Sequence, residues 1–343
     1  MRSLVLPVYL PWLASGLGAG VLLPTLPLYL REEGLSFTRV SIVLAASGVG
    51  AALGSLPAGS AGQRLGEDRL LGIALTVMAV TAALLGSTTT VVALVAFRVL
   101  YGMGQVALGH SRQTFITRTV AVSLRGRVMS SVGGTFRLSL LIGPLLGGVV
   151  VDRFGFVAAF VLGGGLTAAG LLALIAHGRS DAGDASGGVV AAADRVDLRT
   201  GLREHRRRLV VVGVGPALVM AARDGRHVVV PLIADSFDLS PSAVGALVAV
   251  GTGADLLLFP VAGYVMDRFG RLHAMVPAFS LLSLGLLLLG LADSASTVVA
   301  ATVVVGMGNG MSAGTLLTYG SDLAPRDDPG PFLAGLNVMT NVG

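Results

Sequence analysis

Gly263-Tyr-Val-Met-Asp267-Arg268-Phe-Gly270-Arg271 closes one apolar run and opens the next, and a worn copy, Gly59-Ser-Ala-Gly-Gln63-Arg64-Leu-Gly66-Glu67, lies 204 residues earlier. The same offset carries Pro27 onto Pro231, Leu35-Ser36 onto Leu239-Ser240 and Val40 onto Val244. It also carries Gly102-Met103-Gly104 onto Gly306-Met307-Gly308, with Gln105 opposite Asn309. Ungapped self-similarity on this scale implies a duplicated structural unit.

The composition says where that unit resides. Of 343 residues, 53% are apolar and only 13% charged, with mean hydropathy +0.82. A soluble domain devotes about a quarter of its residues to charge. There is no cysteine and no lysine, so all 24 basic residues are arginine. Disulfides, thiolate metal sites, a phosphate-binding G-x-x-x-x-G-K-[ST] loop and a lysine Schiff base are therefore excluded. A net charge of +5 is shared by nucleic-acid binders and membrane proteins. The arginines are not gathered into a soluble basic domain, which points away from nucleic acid.

A membrane-spanning helix needs about 20 mostly apolar residues. Ten such runs, from residues 4–30 to 297–319, predict ten spanning helices, and an eleventh begins near Phe332. The first run is too long and too proline-rich for a cleaved signal peptide. The expected organisation is an amino-terminal six-helix bundle over 1–176, a cytoplasmic linker over 177–208, and a second bundle over 209–343 holding spans seven to ten and the start of the eleventh. Because six spans precede the second copy, the halves are parallel repeats related by an axis along the membrane normal. Gly343 aligns with Ser139 in the middle of the fifth span, so the chain reads as truncated relative to two equal halves.

Loop charge sets the orientation. The odd-numbered loops hold only Arg31, Arg39 and Arg153, and the even-numbered loops hold sixteen arginines. By the positive-inside rule the amino terminus and the even loops are cytoplasmic, in a multi-pass protein of the cell membrane.

These features resemble the major facilitator superfamily across essentially the whole chain. The loop from Gly263 through Asp267, Arg268 and Gly270 to Arg271 matches that family's G-x-x-x-D-R-x-G-R signature, and the copy at Gly59, Arg64 and Gly66 departs from it with Gln63 and Glu67. In the complete copy, the acid and arginines are placed to form a charge cluster at helix ends. A third D-R-x-G, Asp152 to Gly155, falls in an odd loop and reads as chance or an interfacial turn. In the fourth span, Arg98-Val-Leu-Tyr101-Gly102-Met-Gly104 is similar to the family's arginine motif of proton-coupled carriers. At 100° per residue Arg98, Tyr101, Gly102 and Gln105 share one face. In the fifth span, Gly143-Pro144-Leu-Leu-Gly147-Gly148 resembles the core of the antiporter motif, with Ser130 and Ser139 replacing its upstream glycines. Kinking and close helix approach explain the same residues locally.

Four arginines fall within the spans, Arg98, Arg137, Arg223 and Arg226, accompanied by Asp224, Asp255 and His227. A charge near a helix centre costs about 2.5–3.5 kcal/mol on insertion scales, so these mark a pathway or a buried pair. Arg223, Asp224, Arg226 and His227 span one side of the seventh helix, which is expected to line the pathway with Asn309. Asp255, with no neutralising neighbour in sequence, is expected to find its partner on another helix and to be the proton-carrying carboxylate. Four arginines against two acids alternatively favour an anionic substrate. Gly310-Met-Ser312-Ala-Gly314 fits G-x-S-x-G, but a helical context is wrong for a nucleophile elbow, so an intramembrane hydrolase is the lesser reading. The resemblance implies an all-α carrier, functional as a monomer, moving a small molecule with protons across the bilayer by efflux or antiport. No enzymatic activity, cofactor or metal is expected.

Overall fold

A computed structural model of the chain describes residues 9–178 and 206–312. Ten helices are present among the described residues: α1 (Leu10–Glu32), α2 (Phe37–Leu65), α3 (Glu67–Leu84), α4 (Val91–Thr119), α5 (122–154), α6 (156–178), α7 (Arg206–Asp235), α8 (Pro241–Phe269), α9 (Arg271–Gly290) and α10 (Ala295–Met311). Helices α5 and α6 follow each other without a loop and break at Gly155, where φ 81° and ψ 173° turn α6 back, so that Gly143 of α5 and Gly163 of α6 both pack on the Gly18–Gly20 turn of α1. Seven helical segments, with α5 and α6 counted together, are long and apolar enough to cross a membrane by length and composition. The expected eleventh span, the end of the chain and nearly all of the linker lie outside the described residues.

The repeat is visible in how helices begin and end. Ser36 caps α2 by accepting from the Arg39 amide at 3.4 Å, and Ser240, its partner at the 204-residue offset, caps α8 by accepting from the Ala243 amide at 3.3 Å. Gly66 and Gly270 terminate α2 and α8 with φ of 85° and 86°, a region that a side chain disfavours. Gly155 has φ 81°, so Asp152–Gly155 forms a break of the same kind between consecutive helices. The turn reading of that odd-loop copy is the correct one.

Packing repeats as well. A Cβ at Gly102 would collide with the Ser47 carbonyl, and one at Gly306 with the carbonyl of Gly251, the residue equivalent to Ser47. Gly104 lies against Ala74 and Met78 as Gly308 lies against Ala278 and Leu282. Small residues thus bring α4 onto α2 and α3, and α10 onto α8 and α9, at backbone contact.

The bundles join at the end bearing the odd loops. Gly148 on α5 packs on the Pro241 carbonyl, and Gly245 on α8 packs on the Pro144 carbonyl. The Asp152 carboxylate accepts from the Ser242 amide at 3.2 Å, in the first turn of α8, where the helix dipole favours an anion. Leu28 is buried in the apolar core of the second bundle, and its equivalent Leu232 is buried in the core of the first. Towards the other end, a Cβ at Gly133, Gly134 or Gly263 would meet nothing within 4 Å among the described residues. Val92, Phe154, Leu272 and Leu291 project outward, as expected of a molecule whose solvent is lipid.

Candidate functional site

Between the bundles lies a cavity of about 550 Å³, walled by α1, α2, α4, α5 and α7. Arg98, Tyr101 and Gln105 line it from α4, and Asp224 and His227 face them from α7. Arg98 donates from Nη2 to Ser47 Oγ at 2.6 Å, and its guanidinium carbon stands 5.5 Å from the Tyr101 ring centre. The Arg98 Nε and the Tyr101 hydroxyl are buried without hydrogen-bond partners among the described residues. Asp224 is exposed to the cavity and has no ion-pair partner among the described residues. Leu22, Leu26, Leu44, Phe136 and Leu140 supply apolar wall.

Behind this cavity a polar cluster centres on Asp255 of α8, which is 3% exposed. Arg137 reaches across from α5 and donates from Nη1 to Asp255 Oδ1 at 2.5 Å, with its guanidinium carbon 4.4 Å from the Phe259 ring centre. Asp255 Oδ2 accepts from Asn309 Nδ2 at 2.6 Å and lies 3.7 Å from Arg226 Nη2. Asn309 Oδ1 in turn accepts from Arg223 Nε at 2.7 Å. The amide of Asn309 therefore relays between a carboxylate and a guanidinium, both of its polar ends used. One carboxylate and one amide hold three arginines, and one of those arginines belongs to the other bundle. Breaking a buried pair of this kind costs about 3–5 kcal/mol when one partner is removed.

Helix α7 divides the residues that its sequence pattern puts on one pathway face. Asp224 and His227 face the large cavity, whereas Arg223 and Arg226 turn to Asn309 and Asp255 inside the second bundle. The reason is charge: Asp255 on α8 draws the two guanidiniums inward. The cluster has no image in the first half, where Arg223, Asp224, Arg226, His227 and Asp255 correspond to Ala19, Gly20, Leu22, Leu23 and Ala51. The scaffold is duplicated and the chemistry is not.

The other motif residues sit at packing positions. Gly143 and Gly147 face α1, where a Cβ would stand 2.7 Å from Gly20 Cα and 2.8 Å from the Val21 carbonyl oxygen. Pro144 and Gly148 face α8. At the signature turn, Arg268 donates to the Tyr264 hydroxyl at 2.9 Å, and Asp267 has no ion-pair partner among the described residues. Arg268 also lies 5.9 Å from the Tyr264 and Phe269 ring centres, so in this conformation its guanidinium runs along aromatic side chains. Arg64 ends α2 and Arg271 begins α9. Gly310 lies against the Asp255 backbone, and buried Ser312 donates to the Asn309 carbonyl at 2.8 Å, a packing environment for the G-x-S-x-G stretch, whose Gly314 lies outside the described residues. Sequence reasoning missed Ser47, Phe136 and Phe259, which sit in apolar runs with no charge or motif to mark them.

The family model described as Major Facilitator Superfamily matches residues 13–343. Among curated proteins, the chain is 30% identical to the MFS-type transporter ppzB of Metarhizium rileyi over 148 residues, 42% of this chain and 31% of that protein. It is 26% identical to the multidrug resistance protein MdtG of Salmonella arizonae over 167 residues, 48% of this chain and 41% of that protein. The matched stretches therefore span less than half the length of either relative. Among solved structures, a D-xylose-proton symporter superposes with a TM-score of 0.72 at 16% identity, covering 99% of this chain and 87% of that one.

Proposed function

The chain belongs to the major facilitator superfamily, and from that premise we propose that it forms a secondary transporter that moves a small molecule through the bilayer by alternating access, coupled to protons and working as an efflux carrier. The observation that carries this reading is the Arg137–Asp255 bond, a buried ion pair shared between the two bundles beside a 550 Å³ cavity. A proton on Asp255 would remove the charge that holds Arg137, and so would tie proton occupancy to bundle separation. The groups that face Asp255 are Arg137 from α5, Arg223 and Arg226 from α7, and Asn309 from α10. Asp224, open to the cavity, is the carboxylate placed to meet a substrate or proton first. The efflux direction draws on the likeness to a multidrug resistance protein. The arginine distribution favours a cytoplasmic amino terminus in the cell membrane, and the two-bundle architecture supports a monomer as the working unit.

The test is transport by the full-length protein in proteoliposomes with an imposed pH gradient and a panel of substrates. Uptake or release that ignores the gradient overturns proton coupling, and Asp255→Asn that keeps gradient-driven transport removes Asp255 from the coupling step. A second reading, an anion or metabolite carrier without proton exchange, is favoured by four buried or cavity-facing arginines against two acids. It expects anionic substrates to move without a pH gradient.

A further inference from the structure

His227 is part of the wall of two cavities, the central one and a smaller one of about 20 Å³ inside the second bundle. The small cavity is bounded by Arg226, Thr252, Gly251 and Thr302. At the 204-residue offset it corresponds to the Arg98 side of the central cavity: Leu22 becomes Arg226, Ser47 becomes Gly251, Arg98 becomes Thr302 and Tyr101 becomes Val305. The same place in the fold thus carries an arginine twice, once from α4 and once from α7.

The two arginines differ in what answers them. Arg98 donates to the Ser47 hydroxyl, but the equivalent of Ser47 is a glycine, and Arg226 Nε is buried with no acceptor among the described residues. Thr302 Oγ1 is likewise without a partner, on a residue only 3% exposed. The Thr252 hydroxyl is committed to the Val248 carbonyl at 2.9 Å. Two buried donors therefore border a cavity large enough for one water-sized or slightly larger particle. Charge distinguishes the candidates. Arg137, Arg223 and Arg226 are answered by two acids, the buried carboxylate of Asp255 and Asp224, which opens to the central cavity but acts electrostatically on Arg223 and Arg226, so among the described residues of the cluster one positive charge is left over. Water would satisfy the donors and leave the positive excess. A monovalent anion supplies both the acceptor and the missing charge.

We propose that the cavity between Arg226 and Thr302 is a binding site for one monatomic anion of the chloride class, reached from the central cavity past the His227 imidazole. The inference stands apart from proton coupling: the site can bind its ion whether or not a pH gradient drives transport.

Melting the purified full-length protein in chloride and in gluconate, at equal ionic strength and pH, tests it together with bromide soaking and anomalous diffraction. The expected result is a saturable rise in melting temperature with halide and a bromide peak between Arg226 and Thr302. Thr302→Val, which keeps shape and removes the hydroxyl, should weaken halide binding by about tenfold or more while leaving the melting temperature in gluconate near the parent value. Equal melting in the two salts with no bromide peak in the cavity overturns the proposal and assigns the space to water. A halide effect abolished by Arg98→Gln and untouched by Thr302→Val also overturns it, by moving the anion to the central cavity. Should Thr302→Val fail to fold, the bromide map of the parent protein decides the matter alone.

Discussion

Arg31 at the end of α1 and Asp235 at the end of α7 occupy equivalent positions of the two repeats and meet each other, Nε to Oδ2, at 3.9 Å. Equivalent residues can touch only near the axis that relates the halves, so this pair sits at the centre of the closed end, beside the crossed-over Leu28 and Leu232. Its side chains are 30% and 37% exposed, so it contributes no more than about 1 kcal/mol. That is enough to shift a two-state opening equilibrium by about two- to fivefold. Asp235→Asn is expected to raise the reactivity of a single cysteine at Leu26 towards a membrane-impermeant thiol reagent by that factor. The chain has no cysteine of its own, so labelling is free of background. Unchanged labelling in a folded variant would show that the pair does not hold this end shut.

Glycine at the helix crossings is expected to be worth more than charge at the gate. Gly102→Ala and Gly306→Ala each place a methyl group on a backbone carbonyl, and each should destabilise by about 1–3 kcal/mol through overpacking. Gly109→Ala, at a helix position where a Cβ meets nothing within 4 Å, should be neutral or slightly stabilising. Unfolding in a denaturing detergent series ranks the three, and equal midpoints would contradict the repeat packing.

Asp255→Asn leaves Arg137 and Arg226 without their carboxylate and should cost about 3–5 kcal/mol. Arg137→Gln added to it should recover part of that loss, because the pair then leaves together. A double-mutant cycle on unfolding is expected to give a coupling energy of about 1–3 kcal/mol. A coupling energy near zero would mean that the contact across the bundles carries no net interaction.

At Asp224 the expected pattern is reversed. Its carboxylate faces the cavity without an ion-pair partner among the described residues, so Asp224→Asn should change stability by less than about 0.5 kcal/mol and still reduce gradient-driven transport. A strong loss of stability with transport per folded molecule intact would identify Asp224 as a structural residue.

Long apolar runs, the 204-residue offset and the D-R-x-G turns determine a duplicated helical membrane protein, because each is a local property: hydrophobic length, a capping serine, a glycine at positive φ. They also mark Arg98, Arg137, Arg223, Asp224, Arg226, His227, Asp255 and Asn309 as out of place in lipid. What the sequence by itself could not decide was their grouping. Which side of α7 faces the cavity depends on the position of Asp255 on α8, a residue from another helix that pulls Arg223 and Arg226 inward, leaves Asp224 on the cavity side and sets His227 between the two cavities. The partner of Asp255 across the bundles, Arg137, lies 118 positions away in the chain, and no periodicity connects them. Nor does sequence reveal that Gly251 takes the place of Ser47 beside an arginine supplied by a different helix. That exchange becomes visible only when the two halves are folded on each other, because burial and charge act between neighbours in space.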